Sequence, residues 1–144
     1  MLKQVASFKQ INDWVIIDSP PNASDMAAAV VTNCDVALIP CQPSPYDIWA
    51  SSSIVELIKS VSSLRKRPKA AFVISRQISN TKLTNEVRQA IEEFKLFTLT
   101  ACMVQRVIYP QSAAKGKSVF ELDENGPAAR EMTAIAEEVQ SYGR

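Results

Sequence analysis

Apolar residues along the chain follow two spacings, one typical of strands and one typical of helices. Four short runs are almost continuously apolar or β-branched, which indicates strands of a parallel sheet that is covered on both faces. These runs are DWVIID (13–18), DVALIP (35–40), KAAFVIS (69–75) and LFTLTA (96–101).

Three longer stretches carry apolar residues every three or four positions, so each predicts a helix with one apolar face. Their apolar positions are Ala50, Ile54, Leu57, Ile58, Val61 and Leu64; Leu83, Val87, Ala90, Ile91 and Phe94; and Ala128, Met132, Ile135, Ala136 and Val139. Ser24 and Asp47 stand where N-caps would begin two of the helices. Pro68 separates a helix from the strand that follows it.

Strands that alternate with helices predict a single α/β domain over residues 1–144, with a layered parallel sheet flanked by helices. A chain of this length suits one hydrophobic core. Ligands of such sheets bind beyond the carboxyl ends of the strands. A functional site is therefore expected near Asp18, the loop from Pro40 to Asp47, and Ser75-Arg76.

Composition narrows the class of protein. The chain has no histidine, which excludes Ser-His-Asp and Cys-His hydrolases and histidine-ligated metals. Its three cysteines form no CxxC pair and indicate reduced, mostly buried thiols in a cytoplasmic protein. No apolar run approaches the roughly 18 residues that span a bilayer, so no membrane partner is expected.

Charge is unevenly distributed along the sequence. Residues 65–117 contain eleven basic and three acidic side chains, a net charge of +8, within a chain of net charge +1. Such a block favours an anionic partner such as DNA, although solvated faces and helix ends produce the same pattern. The candidate DNA-binding residues are Arg65, Lys66, Arg67, Lys69, Lys82, Arg88, Arg106, Lys115 and Lys117.

Gly116-Lys117-Ser118 matches the end of a phosphate-binding P-loop. That motif needs an earlier glycine, a strand before it and a helix after it, because backbone N–H groups wrap the phosphates. Here Gln111 occupies the position of the first glycine, and the chain has only three glycines. The match is therefore interpreted as accidental.

Two features at the predicted strand ends are better candidates for binding a nucleotide and its Mg²⁺. Asp18 follows a buried run and could offer Mg²⁺ a carboxylate oxygen, or it could simply bond the next turn. Three prolines stiffen the loop from Pro40 to Asp47, which could form one wall of a nucleotide pocket or be a plain turn.

Three strings taken together resemble the ParA/MinD family of deviant-Walker ATPases, and most closely the small plasmid-partition ParA proteins. They are DWVIIDSPPNASDMAAAVVTNCDVALIPCQPSPYDIWA (13–50), AAFVISRQI (70–78) and QRVIYPQSAAKGKSVFE (105–121). The resemblance runs from about Asp13 to the C-terminus and implies a P-loop NTPase-like fold that binds ATP and Mg²⁺.

The resemblance implies a role for several residues. Asp18 would be the Walker B aspartate that holds Mg²⁺, and Pro20 and Pro21 would open the switch that senses the γ-phosphate. Pro43, Pro45 and Asp47 would lie in a loop near the nucleotide and the dimer interface, and Arg76 would approach the adenine. These residues other than Asp18 and Pro21 form the predicted nucleotide site, which is Pro20, Pro43, Pro45, Asp47 and Arg76.

The sequence departs from the family at its start. It lacks the first strand, the KGGxxKT phosphate loop with its helix, and the following strand with a second aspartate. Phosphoryl transfer depends on such positioning groups, so no intact catalytic residue is expected and the chain alone should not hydrolyse ATP. The missing strand is central in the family's sheet, and we expect unpaired edges and a fragment, a truncated gene or an internal-start product.

Two functions follow as hypotheses. The first is the distal part of a ParA-type ATPase that segregates plasmids or chromosomes through ATP-dependent homodimers, non-specific DNA binding and a ParB-like partner. The second is a non-enzymatic DNA- or partner-binding module or regulator derived from a truncated ParA-like protein. A domain with a phosphorylated aspartate is a weaker third interpretation, because it rests only on an aspartate at a strand end.

Overall fold

A computed structural model describes residues 2–19, 25–78 and 82–144, with the backbone alone for residues 2–3 and 82–85. The described helices are α1 (Leu2–Phe8), α2 (Asp25–Asn33), α3 (Pro45–Arg65), α4 (Lys82–Glu92), α5 (Ile108–Ala114), α6 (Val119–Leu122) and α7 (Pro127–Gly143). The described strands are β1 (Val36–Cys41), β2 (Lys69–Ile74) and β3 (Phe97–Thr98).

The strands form a parallel sheet in the order β1-β2-β3. Successive residues of β2 point to opposite faces, so each face has its own apolar core. Phe72 lies in the core beneath α3 and α4, with Val55 and Ile91. Ala71 and Val73 lie in the core beneath α7, with Ile135. The predicted α/β fold with a parallel sheet flanked by helices is confirmed.

The predicted strand at 13–18 is wrong for the described residues. Trp14–Ser19 has no strand hydrogen bond, and the three-stranded sheet does not include it. Its apolar residues nevertheless satisfy the pattern of a buried strand. A run becomes a strand only when a neighbouring backbone completes its hydrogen bonds, and here none does.

Two further expectations change in detail, and three predicted residues cannot be compared. The predicted strand at 96–101 is reduced to Phe97–Thr98, because residues 100 and 101 bond to a side chain of α7 instead of to β2. Asp47 is not the N-cap of α3. The helix begins at Pro45, which is favoured at a first helical position, and the Ser44 hydroxyl accepts the Tyr46 N–H. Ser24, Pro20 and Pro21 lie outside the described residues.

The segment with Gly116-Lys117-Ser118 lies between α5 and α6 and does not follow a strand. Gly116 has a φ of 63°, which closes the turn after α5. Ser118 and Glu121 form a reciprocal capping box that begins α6, a helix of four residues. The arrangement lacks the strand that a P-loop needs.

Candidate functional site

The loop after β1 is held at the carboxyl edge of the sheet by its own hydrogen bonds. The Gln42 N–H donates to Asp47 Oδ2 at 3.0 Å, and the Ser51 hydroxyl donates to the Asp47 carbonyl at 2.8 Å. Asp47 therefore joins the loop to the first turn of α3, while Pro43 and Pro45 restrict the backbone between them. The loop is therefore restricted in conformation, and whether it forms one wall of a nucleotide pocket or is a plain turn stays a prediction.

The chain after β2 turns at the same edge. The Ser75 N–H donates to the Cys41 carbonyl at 2.9 Å, which continues the β1–β2 pairing by one residue. Arg76 follows with a φ of 51° and an exposed side chain. Gln77 then pairs with Val104 in an isolated parallel bridge. The predicted nucleotide-site residues of these two loops thus lie at neighbouring strand ends.

Asp18 does not belong to a described strand. It is exposed in Trp14–Ser19, which the sheet does not include. Its carboxylate has no ion pair in the described part of the chain, so an oxygen is free to join the coordination of Mg²⁺. The described residues contain no cluster of three or more metal-ligating side chains. A magnesium ion would therefore depend on water and substrate phosphates for most of its ligands.

Five of the nine predicted DNA-binding side chains make hydrogen bonds within the chain. Arg65 donates to the Thr32 carbonyl, Arg67 to Asp35, Lys69 to the Tyr142 carbonyl, Arg88 to the Leu99 and Thr100 carbonyls, and Arg106 to Glu131. Lys66, Lys115 and Lys117 are exposed, and no side-chain bond is found for them among the described contacts. The Lys82 side chain lies outside the described residues.

A half-buried network around Glu131 was missed by sequence reasoning. Its carboxylate accepts from Arg106 Nε at 2.8 Å, from the Tyr109 hydroxyl at 2.9 Å and from the Val104 N–H at 3.2 Å. Burial, followed by the bond to Glu131, raises the pKa of Tyr109. The network fixes α7 against the chain that follows β3. No local pattern could reveal it, because its members are up to 27 residues apart.

Two other groups at the carboxyl edge of the sheet could not be recognised from the sequence. The side-chain oxygen of Gln77 is buried and has no hydrogen-bond partner among the described residues. Buried acceptors of this kind are uncommon and call for a partner such as water or a ligand. Burial raises the pKa of Cys41, at the end of β1, to about 11, which keeps the thiol protonated and unreactive.

The comparisons with known proteins place this chain among ParA relatives. A protein of Halothiobacillus neapolitanus named "Maintenance of carboxysome distribution protein A" is 35% identical over 131 residues, which are 89% of this chain and 60% of that protein. The chain is a ParA-like protein. A "ParA family protein" of Mycoplasma pneumoniae is 28% identical over 80 residues, which are 56% of the chain and 30% of that protein.

The ParA-like chain also matches an uncharacterized protein of Methanocaldococcus jannaschii, at 22% identity over 137 residues. It spans 60% and 53% of the lengths of the Halothiobacillus and Methanocaldococcus relatives. No protein-family model matches it. Among the helices that the structure describes, none is long and apolar enough to cross a membrane.

Proposed function

We propose that this ParA-like chain is the distal part of a partition or positioning ATPase. In this proposal the whole protein forms ATP-dependent homodimers, binds DNA without sequence preference and is stimulated by a ParB-like partner. The observation that carries it is the 35% identity to a protein named for the distribution of carboxysomes, over 89% of this chain. The cargo would be a plasmid, a chromosome or a cytoplasmic body.

The geometry supports a nucleotide at the carboxyl edge of the sheet. The loop from Gln42 to Asp47 is preformed, and Arg76 follows the adjacent strand. Asp18 offers a free carboxylate for Mg²⁺. The described residues include no glycine-rich loop for the phosphates, so we expect the chain alone not to hydrolyse ATP.

The nucleotide part of the proposal is tested with the purified chain, fluorescent ATP and Mg²⁺. We expect no phosphate release, and binding that depends on Mg²⁺ and is lost in Asp18→Ala. Asp13→Ala is the matched control, since Asp13 is an exposed carboxylate in the same stretch. Turnover by this chain alone, or binding that both variants leave unchanged, would contradict the assignment of Asp18 as the magnesium ligand.

A DNA- or partner-binding module without catalysis is the second candidate, favoured by the three unpaired lysines. We expect Lys66→Gln, Lys115→Gln and Lys117→Gln together to weaken DNA binding and to flatten its salt dependence by about one phosphate contact per lysine. Lys59→Gln, Lys95→Gln and Arg144→Gln make the matched control, because they remove the same charge from other exposed positions. Affinity that hardly changes with salt would exclude phosphate binding as its source.

A further inference from the structure

A groove lies between the first turns of α3 and the face of α4 that is turned toward them. Trp49 lines it from α3, and Val87, Ala90 and Phe94 line it from α4. The cavity has a volume of about 500 Å³. Its floor is fixed, because Val87 is buried and Phe94 packs against Phe72 of β2 with ring centroids 5.6 Å apart. The groove is therefore held in shape by the core beneath it.

Two exposed aromatic side chains stand on the α3 side of this groove. Trp49 is 67% exposed and Tyr46 is 75% exposed, and their rings meet edge to face with centroids 5.5 Å apart. Among the described contacts, the hydrogen bonds of these two residues involve only their backbones. The Trp49 indole N–H and the Tyr46 hydroxyl are therefore free to donate to a ligand, which is how such side chains act at binding surfaces.

The α4 side of the groove is acidic. Glu86 and Glu93 line it two helical turns apart, which is roughly 10 Å along the helix axis. Both side chains are exposed, and neither has an ion pair among the described residues. In the part of the chain that the structure describes, no basic side chain lines the groove. It therefore presents two negative charges at a set spacing on the side opposite Trp49.

We propose that this groove binds a proline-rich segment of a separate polypeptide, with two basic residues three positions apart. Such a segment forms a polyproline II helix, which has about three residues per turn and rises about 3.1 Å per residue. Its basic residues then lie on one edge roughly 9 Å apart and can reach both Glu86 and Glu93. The prolines face Trp49 and Tyr46, as in other aromatic-lined grooves that bind proline-rich segments.

The backbone of this ligand suits a groove between two helices. The carbonyl groups of a polyproline II helix have no internal partner, so the Trp49 indole N–H and the Tyr46 hydroxyl can donate to them. Proline has no N–H that would need an acceptor. An α-helical ligand has already bonded its own carbonyls, and an extended strand needs a strand edge, which α3 and α4 do not offer.

Other occupants fit this groove less well. A second copy of the chain has its own proline-rich loop at residues 40–45, but that loop contains no basic residue, and Asp47 bonds it to α3. Nucleic acid would be repelled by Glu86 and Glu93. A small cation would leave the apolar floor exposed to water. The inference goes beyond the proposed function and does not rest on it.

The experiment follows the two indole N–H signals of the 144-residue chain by proton–nitrogen NMR. Trp49 reports on the groove, and Trp14, the other tryptophan, is the internal control. The probe is the synthetic peptide Pro-Pro-Arg-Pro-Pro-Arg-Pro-Pro. We expect the Trp49 signal to shift and to saturate as the peptide is added, while the Trp14 signal stays in place.

Two further peptides separate this recognition from simple attraction of charge. Pro-Pro-Pro-Arg-Arg-Pro-Pro-Pro has the same composition, but its adjacent arginines cannot lie on one edge, so we expect about two- to fivefold weaker binding. Ala-Ala-Arg-Ala-Ala-Arg-Ala-Ala keeps the charges and their spacing but favours an α-helix. We expect it to bind at least about tenfold more weakly, because it loses the contacts of the prolines with the aromatic rings.

Variants at Trp49 test the aromatic side of the groove. Trp49→Phe keeps an aromatic ring and removes the N–H, so we expect about two- to tenfold weaker binding. Trp49→Ala also removes the ring and should weaken binding further. Phe8→Ala, at a 50% exposed aromatic residue that does not line the groove, is the matched control and should change nothing. If Trp49→Ala does not fold, Trp49→Phe and the peptides on the parent chain decide.

Paired glutamate variants test the acidic side. Glu86→Gln combined with Glu93→Gln should weaken binding about two- to tenfold, because both ion pairs with the arginines are lost. Glu56→Gln combined with Glu92→Gln is the matched control. It removes the same charge from exposed positions of α3 and α4 that do not line the groove, so binding should hardly change.

Three outcomes would overturn the proposal. They are no shift of the Trp49 signal, equal or tighter binding of the alanine peptide, and equal effects of the two glutamate pairs. The second outcome would assign the groove to an α-helical ligand, and the third would reduce the binding to general attraction by an acidic surface. Neither nucleotide nor DNA enters the measurement, so its failure leaves the ATPase proposal standing.

Discussion

Two apolar runs of similar sequence have opposite environments in this molecule. In β2, five of six residues are buried, and Phe72 and Ile74 have no exposed surface. In Trp14–Ser19, Ile16 is 94% exposed and Trp14 is 50% exposed. β2 has a strand on each side and a helical layer on each face, whereas Trp14–Ser19 has no paired strand. Backbone pairing, and not hydrophobicity alone, decides which of the two runs is buried.

The difference also has an energetic side. Burying an isoleucine or phenylalanine side chain stabilises a fold by about 1.5–3 kcal/mol. Several buried side chains of β2 contribute this stabilisation, while the exposed side chain of Ile16 contributes almost none. The sheet is therefore expected to be stable around β2 and weak along the outer edge of β1. Four measurements can break or sharpen this comparison.

The largest expected effect is the loss of a side chain from β2. Phe72→Ala should lower the free energy of unfolding by about 3–5 kcal/mol, because it leaves a cavity in a fully buried site and removes the ring contact with Phe94 at 5.6 Å. Ile16→Ala is the matched truncation in the open run and should cost less than about 0.5 kcal/mol. Urea denaturation measures both. Equal costs would show that Ile16 is buried in solution.

The second-largest effect on stability concerns Glu138, whose carboxylate binds the backbone just after β3. Glu138 on α7 accepts the N–H groups of Thr100 and Ala101, both at 2.8 Å. Glu138→Gln should cost about 1.5–3 kcal/mol, because an amide cannot accept both bonds with the strength of a carboxylate. Glu137→Gln, at an exposed neighbouring position, should change stability by less than about 0.5 kcal/mol. Similar costs for both variants would show that the bonds from Thr100 and Ala101 to Glu138 do not stabilise the fold.

A third, smaller difference should appear within β1 itself. The Asp35 and Cys41 carbonyls accept from β2, so the odd-numbered residues of β1 bond to β2 and the N–H groups of Val36 and Leu38 face away from it. Hydrogen exchange at Val36 and Leu38 should therefore be roughly ten times faster than at Ala37 and Ile39. Proton NMR of the dissolved chain measures all four amides. Equal protection would mean that another strand or a second copy already covers the outer edge.

Much of the fold follows from sequence, because its strongest signals are local. The helices α3, α4 and α7 show their apolar stripes directly, and β1 and β2 are short apolar runs between turn residues. The strand predicted at residues 13–18 is wrong for a physical reason, because an apolar run forms a strand only when a neighbouring backbone completes its hydrogen bonds. The contact that shortens β3 comes from Glu138, 38 residues from Thr100, which no local pattern records.

The candidate site was predictable in position but not in its contacts. Topology alone places the loop from Gln42 to Asp47 and Arg76 at the carboxyl edge of the sheet. The charge block predicted a DNA surface, yet a count of basic residues cannot tell a free lysine from an arginine bonded inside the chain. Arg106 shows this, because its partner Glu131 is 25 residues away. The charge pattern is therefore more informative at Lys66, Lys115 and Lys117 than at Arg106.

The smallest expected effect lies at the start of β1, where the chain after α1 and the loop between α3 and β2 meet it. Hydrogen bonds from Lys9 and Arg67 hold the pKa of Asp35 below its ordinary value of 3.8. Because the folded pKa is the lower one, this stabilisation is fully present above about pH 5 and is lost as the pH falls through the folded value. The side chains are half-exposed, so solvent screening limits it to about 0.2–1 kcal/mol. Asp35→Asn should therefore destabilise the chain at pH 7, and its cost should shrink as the pH falls below 3.8, whereas Asp13→Asn, with no ion pair among the described contacts, should be neutral throughout. A cost for Asp35→Asn that does not shrink as the pH falls would show that packing, and not charge, joins the end of α1 to the start of β1.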